Sequence, residues 1–177
     1  DRWLAISDDR SEHSPARFYT VKLDYDDKSV RAAEVVSVTV LRQRDGSAYP
    51  DRPGAAKRGG DVPDFEALRL DPRDGTVWYT SEGDSRLKLN PLVRRAKRDG
   101  TLLAELALPA QWLFSTTANV GPRYNLTLES LTFSPDGDSL WSALEAPLQQ
   151  DGPASTQTTG GTTRLTRLGR DGKMLAQ

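Results

Sequence analysis

The chain has 177 residues, of which 36% are hydrophobic and 28% charged, and its 24 basic and 25 acidic side chains leave a net charge of −1. That length suffices for one domain with a moderate core, and the balance of charge creates no field that would draw nucleic acid or a membrane surface. Cysteine is absent, which excludes disulfides and thiolate metal sites, and no apolar run approaches the ~20 residues of a helical membrane span. Trp3-Leu4-Ala5-Ile6 opens the chain as a strand, and Phe18-Tyr19-Thr20-Val21-Lys22-Leu23 reads as the next. Starting inside a strand, with no signal peptide, is expected of a trimmed or processed N-terminus. Arg44 to Pro63 carries four Gly and three Pro and is expected to be an irregular excursion. Phe65 to Glu82 reads as a hairpin about a turn at Asp71 to Thr76, and Leu92 to Leu103 as a second hairpin around Asp99-Gly100. Ala104 to Trp112 has room for one helical turn, interrupted by Pro109. Leu128 to Glu145 is again a hairpin. Gln149 to Thr163, rich in Gly, Ser, Thr and Gln, is expected to be a mobile loop, and Leu165 to Leu175 closes as a hairpin on Asp171-Gly172.

Several of these segments repeat at a fixed distance. Glu66 and Glu129 are 63 residues apart, as are Trp78 and Trp141, Glu82 and Glu145, and Pro72 and Pro135. Leu68 matches Leu131, Leu70 matches Phe133 and Val77 matches Leu140 in the same register. With a diverged copy at the start, the chain reads as about three repeats, roughly 1–60, 61–120 and 121–177. The expected fold is all-β: one domain, or part of one, of β-propeller-like antiparallel sheets. Propeller rings close with roughly 4–8 blades. Three units leave the ring incomplete, so the remainder of a longer chain or a second subunit is expected to complete it.

The hairpins at 65–82 and 128–145 carry carboxylates at their open ends. By strand alternation Glu66, Leu68 and Leu70 share one face, and Trp78, Thr80 and Glu82 share a face of the partner strand. Antiparallel pairing then brings Glu66 to Glu82 and Glu129 to Glu145. Asp8, Asp9 and Arg10 stand at the matching place in the first repeat. Facing like charges cost up to roughly 1 kcal/mol on an exposed sheet, and more when desolvated. A hard cation such as Ca²⁺, a shared proton, or an arginine such as Arg123 would each offset this. The plain alternative is that glutamates at strand ends are solvated or cap nearby backbone, and the Asp-Gly pairs are turns rather than ligands. His13 is the single histidine and sits in a polar loop, which argues against a histidine-built zinc site or a Ser-His-Asp triad. No P-loop or dinucleotide fingerprint is present.

Longer motifs resemble one known family. Leu4-Ala5-Ile6-Ser7-Asp8-Asp9-Arg10 with Ala16-Arg17-Phe18-Tyr19, Asp64-Phe65-Glu66-Ala67-Leu68, and Trp78-Tyr79-Thr80-Ser81-Glu82-Gly83-Asp84 resemble segments of the phytase-like family, described as having an esterase-like activity of phytase. Asn90-Pro91-Leu92-Val93-Arg94, Gly121-Pro122-Arg123-Tyr124-Asn125 with Glu129-Ser130-Leu131, and Ser142 to Gly152 extend the resemblance over nearly the whole chain. Ser130 and Ala67 stand where the family often has Gly, and Phe65 where it has Pro.

The resemblance implies an exported bacterial protein, periplasmic or secreted, with a propeller-like fold and phosphoric-ester hydrolase activity of a phytase- or esterase-like kind. It also implies that the chain is an N-terminal portion of a longer protein. On that reading Glu66, Glu82, Glu129, Glu145 and Arg123 are the catalytic candidates. Arg10, Arg123 and Asn125 would bind substrate, and Asp8, Asp9, Glu66 and Glu129 would hold Ca²⁺. The substrate would be a phosphorylated small molecule, with no nucleic-acid partner. The alternative is a non-catalytic propeller that binds a ligand or partner protein and uses its carboxylates structurally.

Overall fold

Alternating apolar residues and Asp-Gly turns build eleven strands in the computed structural model, which describes residues 1–177. Strands β1 (Arg2–Ile6), β2 (Arg17–Tyr25) and β3 (Val30–Val40) form the first sheet. Strands β4 (Phe65–Leu70), β5 (Val77–Ser81), β6 (Leu92–Ala96) and β7 (Leu102–Glu105) form the second. Strands β8 (Thr132–Phe133), β9 (Ser139–Ala143), β10 (Leu165–Gly169) and β11 (Met174–Ala176) form the third. Each sheet is an antiparallel meander in chain order, so the fold is all-β as expected, and the sheets are open. The first sheet has three strands rather than four: β1 pairs with β2 and is an edge of its sheet.

The second sheet lies between the other two, and its central strand shows why. All five residues of β5 are buried, with Val77 and Tyr79 in one core and Trp78 in another. A strand covered on both faces has no need of polar alternation. The first core joins Phe18 and Leu41 of the first sheet and its flank to Phe65, Leu68, Val77, Tyr79 and Ala96, with Leu4 and Ile6 packed against it. The second joins Ala67, Trp78 and Val93 to Leu140 and Leu168 of the third sheet, with Trp112, Leu128 and Leu131 from the connecting loop. Each fully buried aliphatic or aromatic side chain contributes about 1.5–3 kcal/mol. Edge-on aromatic pairs, Phe65 with Tyr79 at 4.9 Å and Trp78 with Phe133 at 5.7 Å, lock the two cores.

The second and third sheets share backbone detail at positions 63 apart. Asp71 N donates to Thr76 O at 2.8 Å, and Ser134 N to Ser139 O at 2.9 Å. Phe65 pairs with Ser81, and Leu128 bridges Leu144. Polar straps join the sheets as well. Buried Asp71 accepts from Trp78 Nε1 at 3.1 Å and pairs with Arg170 of the third sheet.

Two expectations change. The hairpin at β4 and β5 is not regular: the register runs Phe65 to Ser81 and then Leu68 to Tyr79, so Glu66 and Ala67 face one partner residue in a bulge. Glu66, Leu68 and Leu70 therefore do not share a face. Phe65 and Leu68 enter the first core, Ala67 the second, and Leu70 is exposed. The segment 44–63 is not wholly irregular either, since it holds the helix α1 (Arg52–Arg58). The Asp51 side chain accepts from Gly54 N at 2.8 Å, proline stands in the first turn, and Gly59 ends the helix at φ 77°. The turn within 104–112 is a single 3-10 turn at Ala110–Trp112, after Pro109.

Candidate functional site: a carboxylate rim

Acidic residues from all three sheets meet at one end of the stack. Asp8 follows β1, Asp64 precedes β4, Glu66 lies in the β4 bulge, and Glu82 follows β5. Glu129 precedes β8 and Glu145 follows β9. Carboxylate oxygens of Asp8, Asp64 and Glu66 lie within 4.8 Å of one another, and so do those of Glu66, Glu82 and Glu129. Glu66 belongs to both groups. The bulge accounts for that, because it releases Glu66 from the alternation that would aim it with Leu68 into the apolar core.

Backbone bonds hold the rim in register. Glu82 N donates to Asp64 O at 2.9 Å, and Glu145 N donates to Thr127 O at 2.8 Å, two contacts again 63 residues apart. Thr127 reaches across the sheets: its N–H donates to the Glu82 carboxylate and its hydroxyl to Glu82 O at 3.0 Å.

Like charges drawn this close cannot all ionise freely. Burial, reinforced by Asp8, Glu129, Glu82 and Asp64, pushes the Glu66 carboxyl up to about 8. Burial and the neighbouring Glu82 and Glu145 push Glu129 to about 7, with a side-chain hydrogen bond to Glu145 acting the same way. Burial also raises Glu82, against the opposing hydrogen bond from Thr127 N. Asp64 is raised by burial too, although Arg10 opposes it.

A cationic wall adjoins the acids. Arg10 grips Asp64 with two bonds of 2.6 Å and also donates to the Asn125 side-chain carbonyl. The Asp64 partnership holds the Arg10 guanidinium above its ordinary value despite burial. Arg10 and Asn125 both adopt left-handed backbone, at φ 50° and 56°, a conformation that costs a non-glycine residue energy and is held here by these contacts. Arg52, from α1, pairs with buried Asp84 at 2.7 Å and reaches the Tyr124 hydroxyl at 3.4 Å. Arg86 stacks on the Tyr124 ring at 3.9 Å.

Of the residues singled out from the sequence, Asp8, Glu66, Glu82, Glu129 and Glu145 come together, and Arg10 and Asn125 adjoin them. Asp9 turns aside: it accepts from Arg17 Nη1 at 2.6 Å and from Ser11 N at 3.0 Å, bracing the loop between β1 and β2. Arg123 donates to Pro147 O at 3.1 Å and to Gly152 O, so its guanidinium faces backbone carbonyls after β9. Sequence reasoning left Asp64, Thr127, Tyr124, Arg52 and Asp84 out of the site. Asp64 carried a usable signal, since it stands two residues before Glu66 in a strand opening. Arg52 carried none, because its place depends on a helix packed from elsewhere.

A groove of about 290 Å³ opens beside the rim, lined by Leu4, Ile6, Glu66 and Glu129 among others. A separate cleft, of about 450 Å³, lies among Asp61, Lys88, Arg94 and Glu105 and includes none of the rim acids. Oxygen-only donors in this number suit a hard divalent cation, and paired acids of raised pKa suit proton transfer. The chain matches the family model for the phytase-like family, described as having an esterase-like activity of phytase, over residues 1–177. No curated protein and no solved structure matches it.

Proposed function

The chain belongs to the phytase-like family, and from that membership and the converging carboxylates we propose a phosphoric-ester hydrolase that depends on a divalent cation, Ca²⁺ in the first instance. The observation that carries the proposal is the Glu66–Glu82–Glu129 triad. Its oxygens lie within 4.8 Å of one another, and its carboxyls are raised by burial first and by repulsion from neighbouring acids second. A hard cation relieves that repulsion, so the donor set fits the ion. When bound, it supplies Lewis acidity toward a phosphoryl oxygen and offsets the charge of the acids.

The protein's own groups take the remaining roles. Glu66, Glu82 and Glu129 hold the ion, with Asp8 beside them. Arg10 is fixed by Asp64 and Asn125, and its fork geometry suits the oxygens of a phosphorylated small molecule. Glu145 is exposed and lies beside Glu129; it accepts the proton of the attacking water and returns one to the departing alcohol. We place the sheets as blades of a propeller-like array, and the protein outside the bacterial cytoplasm, periplasmic or secreted. A second reading draws on Thr127 and Arg10, which already tie loops of different sheets together at the rim. A cation there could staple the sheets without turnover.

Aryl phosphate hydrolysis separates the two. Activity should vanish with chelator, return with Ca²⁺, and fall about a hundredfold or more in Glu66→Gln and Glu145→Gln. Turnover indifferent to chelator and to both substitutions would overturn the metal-hydrolase reading. Calcium-dependent melting without turnover would favour the staple.

A further inference from the structure

The cleft of about 450 Å³ is built on the second sheet, at the loop between β5 and β6, the start of β6 and the end of β7. Other sheets of this chain cover the second sheet on both faces, and the cleft is framed by residues between 61 and 113 alone. Val62, Leu92, Leu106, Leu108 and Leu113 give it an apolar lining. Backbone bonds shape one wall: Asp84 N donates to Leu89 O at 2.8 Å, and Leu89 N to Asp84 O at 3.0 Å. Gly83 permits that closure at φ 72°, since a Cβ there would stand 2.4 Å from Leu89 O. The loop so formed sends Arg86 to the Tyr124 ring beside the rim and Lys88 to the cleft.

Charges of both signs edge the cleft. Arg94 is buried, and its guanidinium is fully engaged: Nε donates to Glu105 at 2.7 Å, Nη1 to the Tyr49 hydroxyl at 2.8 Å and Nη2 to Asp61 at 2.5 Å. The Tyr49 hydroxyl lies 3.1 Å from that of Tyr79 in the first core, so Arg94 is anchored to the interior. It holds Asp61 and Glu105 in place, each through one oxygen only. Asp61 Oδ1 and Glu105 Oε1 bond no protein group, and the two side chains are 35% and 38% exposed. Lys88 is exposed at the cleft, and its ammonium has no carboxylate partner in the protein. Asn90 is fixed by its side-chain carbonyl, which accepts from Phe114 N at 2.9 Å, and its amide N–H groups stay free to donate. Arg94 offsets one of the two acids, which leaves one negative charge to set against the positive charge of Lys88.

We infer that this cleft binds a small zwitterion with an apolar body, of the kind that an apolar dipeptide represents. Its ammonium pairs with the free oxygens of Asp61 and Glu105, its carboxylate with Lys88 and the Asn90 amide, and its apolar side chains lie on the leucines. A ligand of one sign alone fits less well, because an anion meets the two acids and a cation meets Lys88. The volume lies within the roughly 300–1,000 Å³ of small-molecule sites, and an apolar lining with a few convergent polar groups is their usual make-up. Arg94 already holds both acids in place, so little ordering is required when the ligand arrives. The inference is independent of what the carboxylate rim does.

Calorimetric titration of the 177-residue chain with leucyl-leucine tests it, with saturable binding and a Kd below roughly 1 mM expected. N-acetyl-leucyl-leucine lacks the ammonium and leucyl-leucine amide the carboxylate; each should bind about tenfold more weakly or worse. Lys88→Met should weaken the dipeptide to a similar degree yet leave the amide unchanged, because that probe has no carboxylate to lose. Glu105→Gln should weaken the dipeptide and leave the N-acetyl form unchanged. Lys97→Met, in the turn between β6 and β7 at the other end of the sheet, should change nothing. Circular dichroism checks that the variants fold. Absence of saturable binding up to about 10 mM dipeptide overturns the inference. So does equal affinity for the dipeptide and its two blocked forms, since apolar burial alone would then account for binding. A loss in Lys97→Met as large as in Lys88→Met overturns it too.

Discussion

Glu66 shows how one residue links local irregularity to chemistry. A regular strand would have aimed its carboxylate with Leu68 into the core between the first and second sheets. The bulge instead delivers it to the rim, where it joins two groups of acids at once. The consequence is a pH dependence of stability with a definite sign. Its carboxyl is raised from 4.5 to about 8 in the folded chain. Below pH 4.5 the proton is held in both states, and the stabilisation is fully present. As pH rises toward 8 the unfolded carboxyl ionises while the folded one does not, so stability is lost across that window. In chelator, the melting temperature should therefore fall from about pH 5 to about pH 8. Glu66→Gln should flatten the slope and raise the value at the alkaline end by roughly 3–6 °C, or about 1–2 kcal/mol after solvent screening of a half-buried group. Calorimetry at stepped pH reads it, and an unchanged slope in the variant would remove Glu66 from the explanation. The carboxylates at the hairpin ends were legible because they recur with the same apolar neighbours. The destination of Arg123 was not, since a guanidinium bonds whatever acceptors the fold brings, and here these are the carbonyls of Pro147 and Gly152.

At the scale of elements, the Asp-Gly pairs do more than turn the chain. Gly172 sits at φ 88° in the turn between β10 and β11, and a Cβ there would stand 2.2 Å from Ala107 O, beyond the end of β7. Gly100 meets Val40 O at 2.0 Å in the same sense, at the end of β3. Each turn is thus a foot resting on the preceding sheet. Gly75, at φ 71° in the β4–β5 turn, has open space around it. Gly172→Ala should cost about 2–3 kcal/mol through strain and displaced backbone, and Gly75→Ala about 1 kcal/mol through conformation alone. Urea midpoints of the two variants compare them directly; equal losses would mean that close approach contributes nothing. The turns themselves were readable, because Asp-Gly has a local conformational cause. The approach of a turn to another sheet was not, and neither was α1, whose capping aspartate and proline lay within a stretch dominated by Gly and Pro.

Across the whole molecule, protection is uneven. Every residue of β5 is buried between two sheets, whereas residues 30–38 of β3 are exposed throughout. Hydrogen exchange at low protein concentration should follow, with β5 amides opening only through global unfolding and those of residues 30–38 exchanging through local opening. Mass-resolved exchange of peptides from the two strands checks this, and comparable protection would mean that the outer strand is covered in solution. The amino-acid sequence by itself determined the all-β class, the turns, the 63-residue register and the family, because each rests on local pattern or on residues compared in line. Only the tertiary structure decided the order in which the sheets stack, the bulge that places Glu66, and the union of Asp8, Asp64, Glu66, Glu82 and Glu129 at one rim. Those depend on which face of each sheet is buried against which neighbour, and on side chains far apart in the chain competing for the same partners.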